Sequence, residues 1–178
     1  MVRLGKLFLL NQFGCCHGVH KIFKRRKNCN VEAKGRLMKV VHLIDSGGLY
    51  GAEQVLLSLC KEQQAQGMTP IILSCGLPDE KEKPLELAAK HLNIECISWR
   101  MKAGINIKGM KLLLQHLKSE KVQLLHSHGY KFNILLGLFS KRKLGLPSVS
   151  TVHGYVKAKF PNKMWIYEVL DRFFIRRM

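Results

Sequence analysis

The stretch that decides the fold is Met38-Lys-Val-Val-His-Leu-Ile-Asp-Ser-Gly-Gly-Leu-Tyr-Gly-Ala-Glu53. Its first part is a short apolar run rich in β-branched residues, which is typical of a central parallel strand. Gly47, Gly48 and Gly51 follow, and glycine can reach backbone conformations closed to other residues and lets a ligand approach the main chain closely. From Ala52 onwards the apolar residues repeat with the period of a helix. The stretch therefore predicts a buried strand, a glycine-rich turn and an amphipathic helix.

This turn has the features of a phosphate-binding connection. A helix that begins just after it directs free N–H groups and a partial positive charge towards the turn, which suits an anion. The turn is not the dinucleotide-binding fingerprint, which needs a glycine where Ser46 stands, and no Walker lysine follows it. The alternative is a plain strand-to-helix connection without a ligand, although most short connections of that kind do without three glycines.

The rest of the chain alternates apolar runs with amphipathic segments. Further strands are predicted over residues 69–75, 94–99, 122–126 and 148–152, and further helices over 84–92, 110–117, 131–143 and 163–178. This alternation implies βαβ units with right-handed crossovers and a parallel sheet covered on both faces. We expect the doubly wound strand order 3-2-1-4-5. The first and fourth strands are then neighbours where the winding reverses, and ligands bind beyond the carboxyl ends of the strands at that point.

Two His-Gly-Tyr triplets follow neighbouring predicted strands. The fourth strand leads into His126-Ser-His128-Gly-Tyr, and the fifth leads into Thr-Val-His153-Gly-Tyr. Strand alternation puts His126 and His128 on the same side of the sheet, with His128 nearer the mouth of the crevice. A role in the site is favoured for His128 and His153 over structural hydrogen bonding. For His126, which is expected to lie deeper, the structural role is favoured.

The succession Gly-Gly-x-x-Gly-Ala-Glu, His-Ser-His-Gly-Tyr and Thr-Val-His-Gly-Tyr resembles the amino-terminal domain of family 4 glycosyltransferases. The resemblance implies an α/β fold with a Rossmann-like doubly wound parallel sheet, the amino-terminal half of a GT-B architecture. It also implies a retaining enzyme that transfers a sugar from a nucleotide-sugar donor, generally without a metal and with no cofactor. By similarity, Gly47 and Gly48, with Gly51 in the same turn, would sit against the donor diphosphate and the acceptor. His153 would approach the donor sugar as the catalytic residue, and His128 would line the same cleft.

The resemblance covers residues 38–178 and leaves a basic leader, residues 1–37, outside it. The leader holds nine Lys and Arg residues against Glu32 alone, and we expect it to be disordered or foreign to the fold. A membrane-surface or nucleic-acid arm is the alternative. The second domain of the family, with its paired glutamates in an E-x7-E motif, has no counterpart in the sequence. We therefore expect a truncated acceptor-side domain that is inactive without the nucleotide-binding domain.

The net charge of +18 in 178 residues implies an anionic partner. A nucleotide-sugar donor meets this requirement, and so does an anionic membrane contacted peripherally, where a sugar or lipid-linked acceptor would be found. No apolar stretch is long enough to span a bilayer. The six cysteines lack the spacing of a zinc site or a disulfide framework, which favours the cytoplasm.

Two other functions are compatible with parts of the sequence. A non-enzymatic module could bind nucleic acid or an anionic membrane through its charge alone. The chain has only 8% aromatic residues and no recognised reader motif, so nucleic acid is not the expected partner. A metal hydrolase could use His126, His128 and His153. That hypothesis is weak because no carboxylate stands at ligand spacing beside these histidines.

Overall fold

The computed structural model of the protein describes residues 38–45, 48–139, 144–153, 160 and 162–178. The predicted leader and the site glycine Gly47 lie outside these residues. No helix among the described residues has the length and the apolar character that crossing a bilayer requires.

Five strands and five helices alternate along the described chain. The strands are β1 (Lys39–Ile44), β2 (Thr69–Gly76), β3 (Glu95–Arg100), β4 (Leu124–His128) and β5 (Ser148–Thr151). The helices are α1 (Gly51–Ala65), α2 (Pro84–His91), α3 (Ile107–Ser119), α4 (Tyr130–Leu138) and α5 (Lys163–Ile175).

The strands form one parallel sheet in the order β3-β2-β1-β4-β5. The predicted order 3-2-1-4-5 is confirmed, and so is the Rossmann-like α/β fold class. The winding reverses between β1 and β4, which pair directly. Their register places His42 opposite His126 and Ile44 opposite His128. The carboxyl end of β1, where the glycine-rich turn begins, therefore lies beside the carboxyl end of β4.

Each face of the sheet has its own apolar core. On one face, Val41 and Leu43 pack with residues of α3 and α4. On the other face, Ile44 and Ile72 pack with residues of α1 and α2. Because side chains alternate along a strand, His42 points to the face that α1 covers. It is fully buried there. Helix α5 packs against α4 rather than against the sheet.

Most predicted boundaries differ from the structure by one to three residues, and two of the differences have a clear physical reason. Strand β4 starts two residues later than predicted, because Lys121 adopts a left-handed conformation (φ 56°) and the Val122 amide donates to the Leu117 carbonyl at 3.2 Å. These residues close the carboxyl-terminal turn of α3 instead of entering the sheet. Helix α4 ends at Leu138, because Phe139 is extended (φ −92°, ψ 131°). The remainder of the predicted helix, residues 140–143, lies outside the described residues.

Candidate functional site

A chain of hydrogen-bonded side chains runs from the interior of the protein to the carboxyl edge of the sheet. His42 Nε2 lies 2.8 Å from Gln63 Oε1 on α1, and His42 Nδ1 lies 3.1 Å from His128 Nε2. His128 Nδ1 in turn lies 3.1 Å from His153 Nε2. We call these four residues the histidine chain. His42 and His128 are buried, whereas His153 is exposed, so the chain connects the core to the surface.

The histidines of this region are neutral at neutral pH. Burial lowers the pKa of His42 from 6.5 to about 4, although the hydrogen bond to Gln63 opposes part of the shift. The pKa of His128 is also lowered by burial, and then by the neighbouring histidines. Burial lowers the pKa of His153 as well, while the Glu53 carboxylate acts in the opposite direction. Each imidazole therefore carries one N–H group, a donor, and one bare nitrogen, an acceptor.

His126 lies beside the histidine chain but is not a link in it. Its ring centroid is 4.1 Å from that of His128, and its Nε2 bonds Thr151 Oγ1 at 2.7 Å. The shared side predicted for His126 and His128 is confirmed. The expectation that His126 lies deeper than His128 is wrong, because His126 is half-buried and His128 is buried. Its β5 neighbour Val149 is exposed.

Among the described residues, three histidines have ligand atoms close enough together to surround a metal ion: His42, His126 and His128. Neutral imidazoles at this separation are ordinary zinc ligands. However, both ring nitrogens of His42 and of His128 already take part in hydrogen bonds within the histidine chain. A metal ion would have to break those bonds to gain lone pairs. The geometry therefore fits a hydrogen-bonded relay better than a metal centre.

The amino terminus of α1 borders the crevice from the β1 side. The Tyr50 amide donates to Glu53 Oε2 at 2.7 Å, which fixes the first turn of the helix. Amides at the start of a helix have no partner within it, and Gly51 is the first residue of α1. The space beside Gly51 is open, with no atom of the described residues within 4 Å of where a Cβ would stand. A ligand can therefore approach the backbone at Gly51.

The structure describes two glycines of the turn, Gly48 and Gly51, and neither adopts a backbone conformation that requires glycine. Gly48 is buried and Gly51 is exposed, and neither has a positive φ. The expected conformational role of glycine is therefore absent at Gly48 and Gly51. It appears instead at Gly129 (φ 122°), which directly precedes α4 and permits the sharp exit from β4.

A cleft of about 300 Å³ opens at the carboxyl ends of β1 and β4. His128 and Tyr130 line it, together with Ile105 from the loop before α3 and Tyr167 from α5. Its charged part is an ion pair, in which Lys131 Nζ lies 3.0 Å from Asp45 Oδ2. The cleft thus combines apolar side chains with one ion pair beside His128.

The structure brings together several of the predicted site residues and adds others. His128 and His153 are in direct contact, and the charge of Glu53, the last residue of the predicted motif, acts on His153. Sequence reasoning missed His42 and Gln63. A buried strand that contains a histidine was the only signal for His42. No local pattern identifies Gln63, because its contact depends on how α1 docks on the sheet.

Comparisons with known proteins support the family and the fold class of the chain. The profile of the Glycosyltransferase Family 4 matches residues 50–178, from the amino terminus of α1 through α5. No protein of curated function has a sequence that matches this chain significantly.

Two solved structures resemble the fold. HepE from Anabaena, solved in complex with UDP, superposes with a TM-score of 0.60 at 12% sequence identity, over 79% of this chain and 36% of HepE. A glycosyltransferase from Rickettsia africae ESF-5 gives a TM-score of 0.49 at 17% identity, over 76% of this chain and 35% of that protein. The chain thus spans about a third of the length of each of these proteins.

Proposed function

Because the chain belongs to glycosyltransferase family 4, we propose that it forms the acceptor-side half of a retaining enzyme that uses a nucleotide-sugar donor. The observation that carries the proposal is the position of His153. This exposed histidine ends the histidine chain at the carboxyl edge of the sheet, under the influence of Glu53 in the first turn of α1. Ligands of doubly wound folds bind at this edge, where the winding reverses.

In this proposal the two sides of the crevice have different tasks. The open backbone at Gly51, with Gly48 and Gly47 before it, positions the diphosphate of the donor, because helix amino termini attract phosphate. His153 contacts the hydroxyl groups of the donor sugar as the catalytic residue. His128 supports His153 from behind and lines the neighbouring cleft. HepE was solved in complex with UDP, which supports a nucleotide-sugar donor and makes UDP the first nucleotide to test.

We further propose that activity requires a second, nucleotide-binding domain. The chain spans about a third of HepE, so most of that protein has no counterpart here. In this proposal the sheet edge and α1 form one wall of the donor site, and the second domain supplies the other. Affinity for a nucleotide sugar depends on closure between two walls, and residues 38–178 by themselves should act as a truncated, inactive half. We also propose that residues 1–37 form a leader that is separate from this domain.

The acceptor is proposed to be a sugar or a lipid-linked sugar at an anionic membrane face in the cytoplasm. The net charge of +18 favours such a surface electrostatically. Sedimentation with vesicles tests this idea. We expect binding to vesicles that contain phosphatidylglycerol, weakened by added salt, and little binding to pure phosphatidylcholine. Equal binding to both kinds of vesicle would contradict it.

Titration of the full chain with UDP and UDP-glucose, followed by amide NMR, tests the donor site. We expect shifts at Gly48, Gly51 and His153, with a dissociation constant in the millimolar range, which corresponds to about 4 kcal/mol. His153→Ala should weaken the effect of the sugar nucleotide more than that of UDP. The matched control is His91→Ala, which removes an exposed histidine at the end of α2. Shifts confined to other regions would reject the site, and micromolar affinity would reject the need for a second wall.

A further inference from the structure

The histidine chain has one proton for each of its hydrogen bonds. Three bonds link four groups, and the three neutral imidazoles supply three N–H donors. Such a chain can run in only two directions. Either every histidine donates towards Gln63, or every histidine donates away from it, because a mixed arrangement would face two N–H groups or two bare nitrogens against each other.

The group at the inner end decides between these directions. Gln63 turns its carbonyl oxygen, Oε1, towards His42 Nε2 at 2.8 Å. An amide oxygen only accepts, so His42 Nε2 carries the proton and His42 Nδ1 is bare. His128 Nε2 must then donate to His42 Nδ1, and His153 Nε2 must donate to His128 Nδ1. The last nitrogen, His153 Nδ1, is left bare.

We propose that Gln63 is a positioning residue that fixes the tautomers of all three histidines, so that His153 offers a bare Nδ1 to a ligand hydroxyl group. Among the described residues, nothing bonds this nitrogen. Ring geometry directs it away from His128, and His153 is exposed. A bare ring nitrogen accepts a hydrogen bond from a hydroxyl group but has no proton to offer a phosphate oxygen. The assignment rests on the proposed function only in identifying that hydroxyl group as one of a sugar.

Burial makes this control effective. His42 is fully buried and His128 is 4% exposed, so no bulk water can replace a missing partner at either residue. While Gln63 Oε1 faces His42, reversal of the chain would leave a bare His42 Nε2 against that oxygen, which is costly because a buried polar group without its hydrogen bond has lost its water and gained nothing in return. The chain can reverse only if the Gln63 amide also turns over, so that its Nε2 donates to His42. The hydrogen bond at Gln63 therefore determines which ring nitrogen of His153 is bare. It does so although two other histidines lie between Gln63 and His153.

Nitrogen-15 NMR of the imidazole rings tests the proposal directly, because protonated and bare ring nitrogens differ strongly in chemical shift. We expect the full chain at pH 7.5, without ligand, to carry the proton on Nε2 in His42, His128 and His153. Gln63→Glu, which can only accept, should preserve this pattern. Gln63→Met, which has a similar length and no acceptor oxygen, should give a mixture of tautomers at all three residues.

The matched control is Gln64→Met, the next residue on α1, whose amide donates to the Asn93 carbonyl outside the histidine chain. It should leave the imidazole spectrum unchanged. A proton on Nδ1 of His153 in the natural sequence or in Gln63→Glu would overturn the proposal, even if Gln63→Met failed to fold. So would an unchanged spectrum in folded Gln63→Met. The measurement uses no nucleotide, so its outcome is independent of the donor-site titration.

Discussion

Asn133 Nδ2 donates to Asp171 Oδ1 across 2.7 Å and thereby fastens α5 to α4. The other end of the same amide accepts a hydrogen bond from Ser150 Oγ of β5, also at 2.7 Å. Asn133 and Asp171 are both buried. One side-chain amide thus joins two helices and the last strand of the sheet.

Asn133→Ala should destabilise the protein clearly. The substitution removes the amide donor from a buried carboxylate, and hydrogen bonds to charged groups contribute about 1.5–3 kcal/mol. We expect a loss of about 2 kcal/mol in the free energy of unfolding, measured by urea denaturation. Gln66→Ala, which removes an exposed amide that bonds Glu62, is the control and should change stability by less than about 0.5 kcal/mol. Similar losses in both variants would contradict the role of Asn133.

The ion pair between Arg100 and Glu86 should make stability depend on acid pH. Arg100 holds both carboxylate oxygens of Glu86, at 2.8 and 2.9 Å. Burial alone would raise the pKa of Glu86, but the Arg100 bonds and other hydrogen bonds outweigh it and lower the pKa from 4.5 to about 2. The ion pair therefore contributes fully above about pH 4.5, and its contribution is lost as the pH falls towards 2.

Glu86→Gln tests this dependence. The variant should be less stable than the natural sequence at pH 6, and the difference should shrink between pH 4.5 and 2, where only the natural sequence loses the ion pair. Urea unfolding of both proteins across this range is the measurement. A difference that stays constant with pH would mean that the ionised form of Glu86 contributes nothing.

When the pH is lowered, His42 and His126 should begin to reduce the stability of the protein at a higher pH than Glu86 does. Burial lowers the pKa of His42 to about 4 and that of His126 to about 3. Below pH 6.5 the unfolded chain binds protons that the folded chain does not, so the free energy of unfolding decreases as the pH is lowered. The slope is up to about 1.4 kcal/mol per pH unit for each histidine. Gln63 and Thr151 face these rings from other elements and are neutral, and the titratable groups that face them are the neighbouring histidines, His128 and His153 among them.

Unfolding by urea at pH 7.5, 6.5 and 5.5 measures this slope. His126→Gln removes one of the proton-binding groups and should reduce the loss of stability between pH 7.5 and 5.5 by about 1.4 kcal/mol in total. Gln64→Met, which removes no ionisable group, should leave the slope as it is. Equal slopes in the natural sequence and in His126→Gln would show that His126 titrates alike in the folded and unfolded states.

His153→Ala should abolish most transfer activity in a two-domain protein, made by joining this chain to the nucleotide-binding domain of a family member. We expect turnover to fall at least about a hundredfold, which is the scale of one positioned polar contact in a transition state. His153→Ala also leaves Nδ1 of the buried His128 without its partner, so we expect the free energy of unfolding to fall by about 1–3 kcal/mol as well. A clearly lowered melting temperature with near-normal turnover would make His153 a structural residue.

The order of the strands follows from the sequence because each apolar run and each amphipathic segment encodes its own element. The pairing of His128 with His153 follows in part, since His128 ends β4 and His153 lies two residues after the neighbouring strand β5. Gln63 could not be predicted in the same way. It stands 21 positions from His42, and only the docking of α1 brings the two together. The late start of β4 also escaped prediction, because Val122 is as apolar as a strand residue while its amide closes α3.

Strand β1 lies between β2 and β4, and this position has a consequence for synthesis on the ribosome. β1 leaves the exit tunnel first and can pair with β2 early, but Leu124–His128 follows only about 80 residues later. At the usual elongation rates of about 5–20 residues per second, this delay is roughly 4–16 s. Throughout that interval the nascent chain carries a half-paired apolar strand with a free edge. Chaperones that shield such edges should therefore influence the yield of this protein more than its final stability.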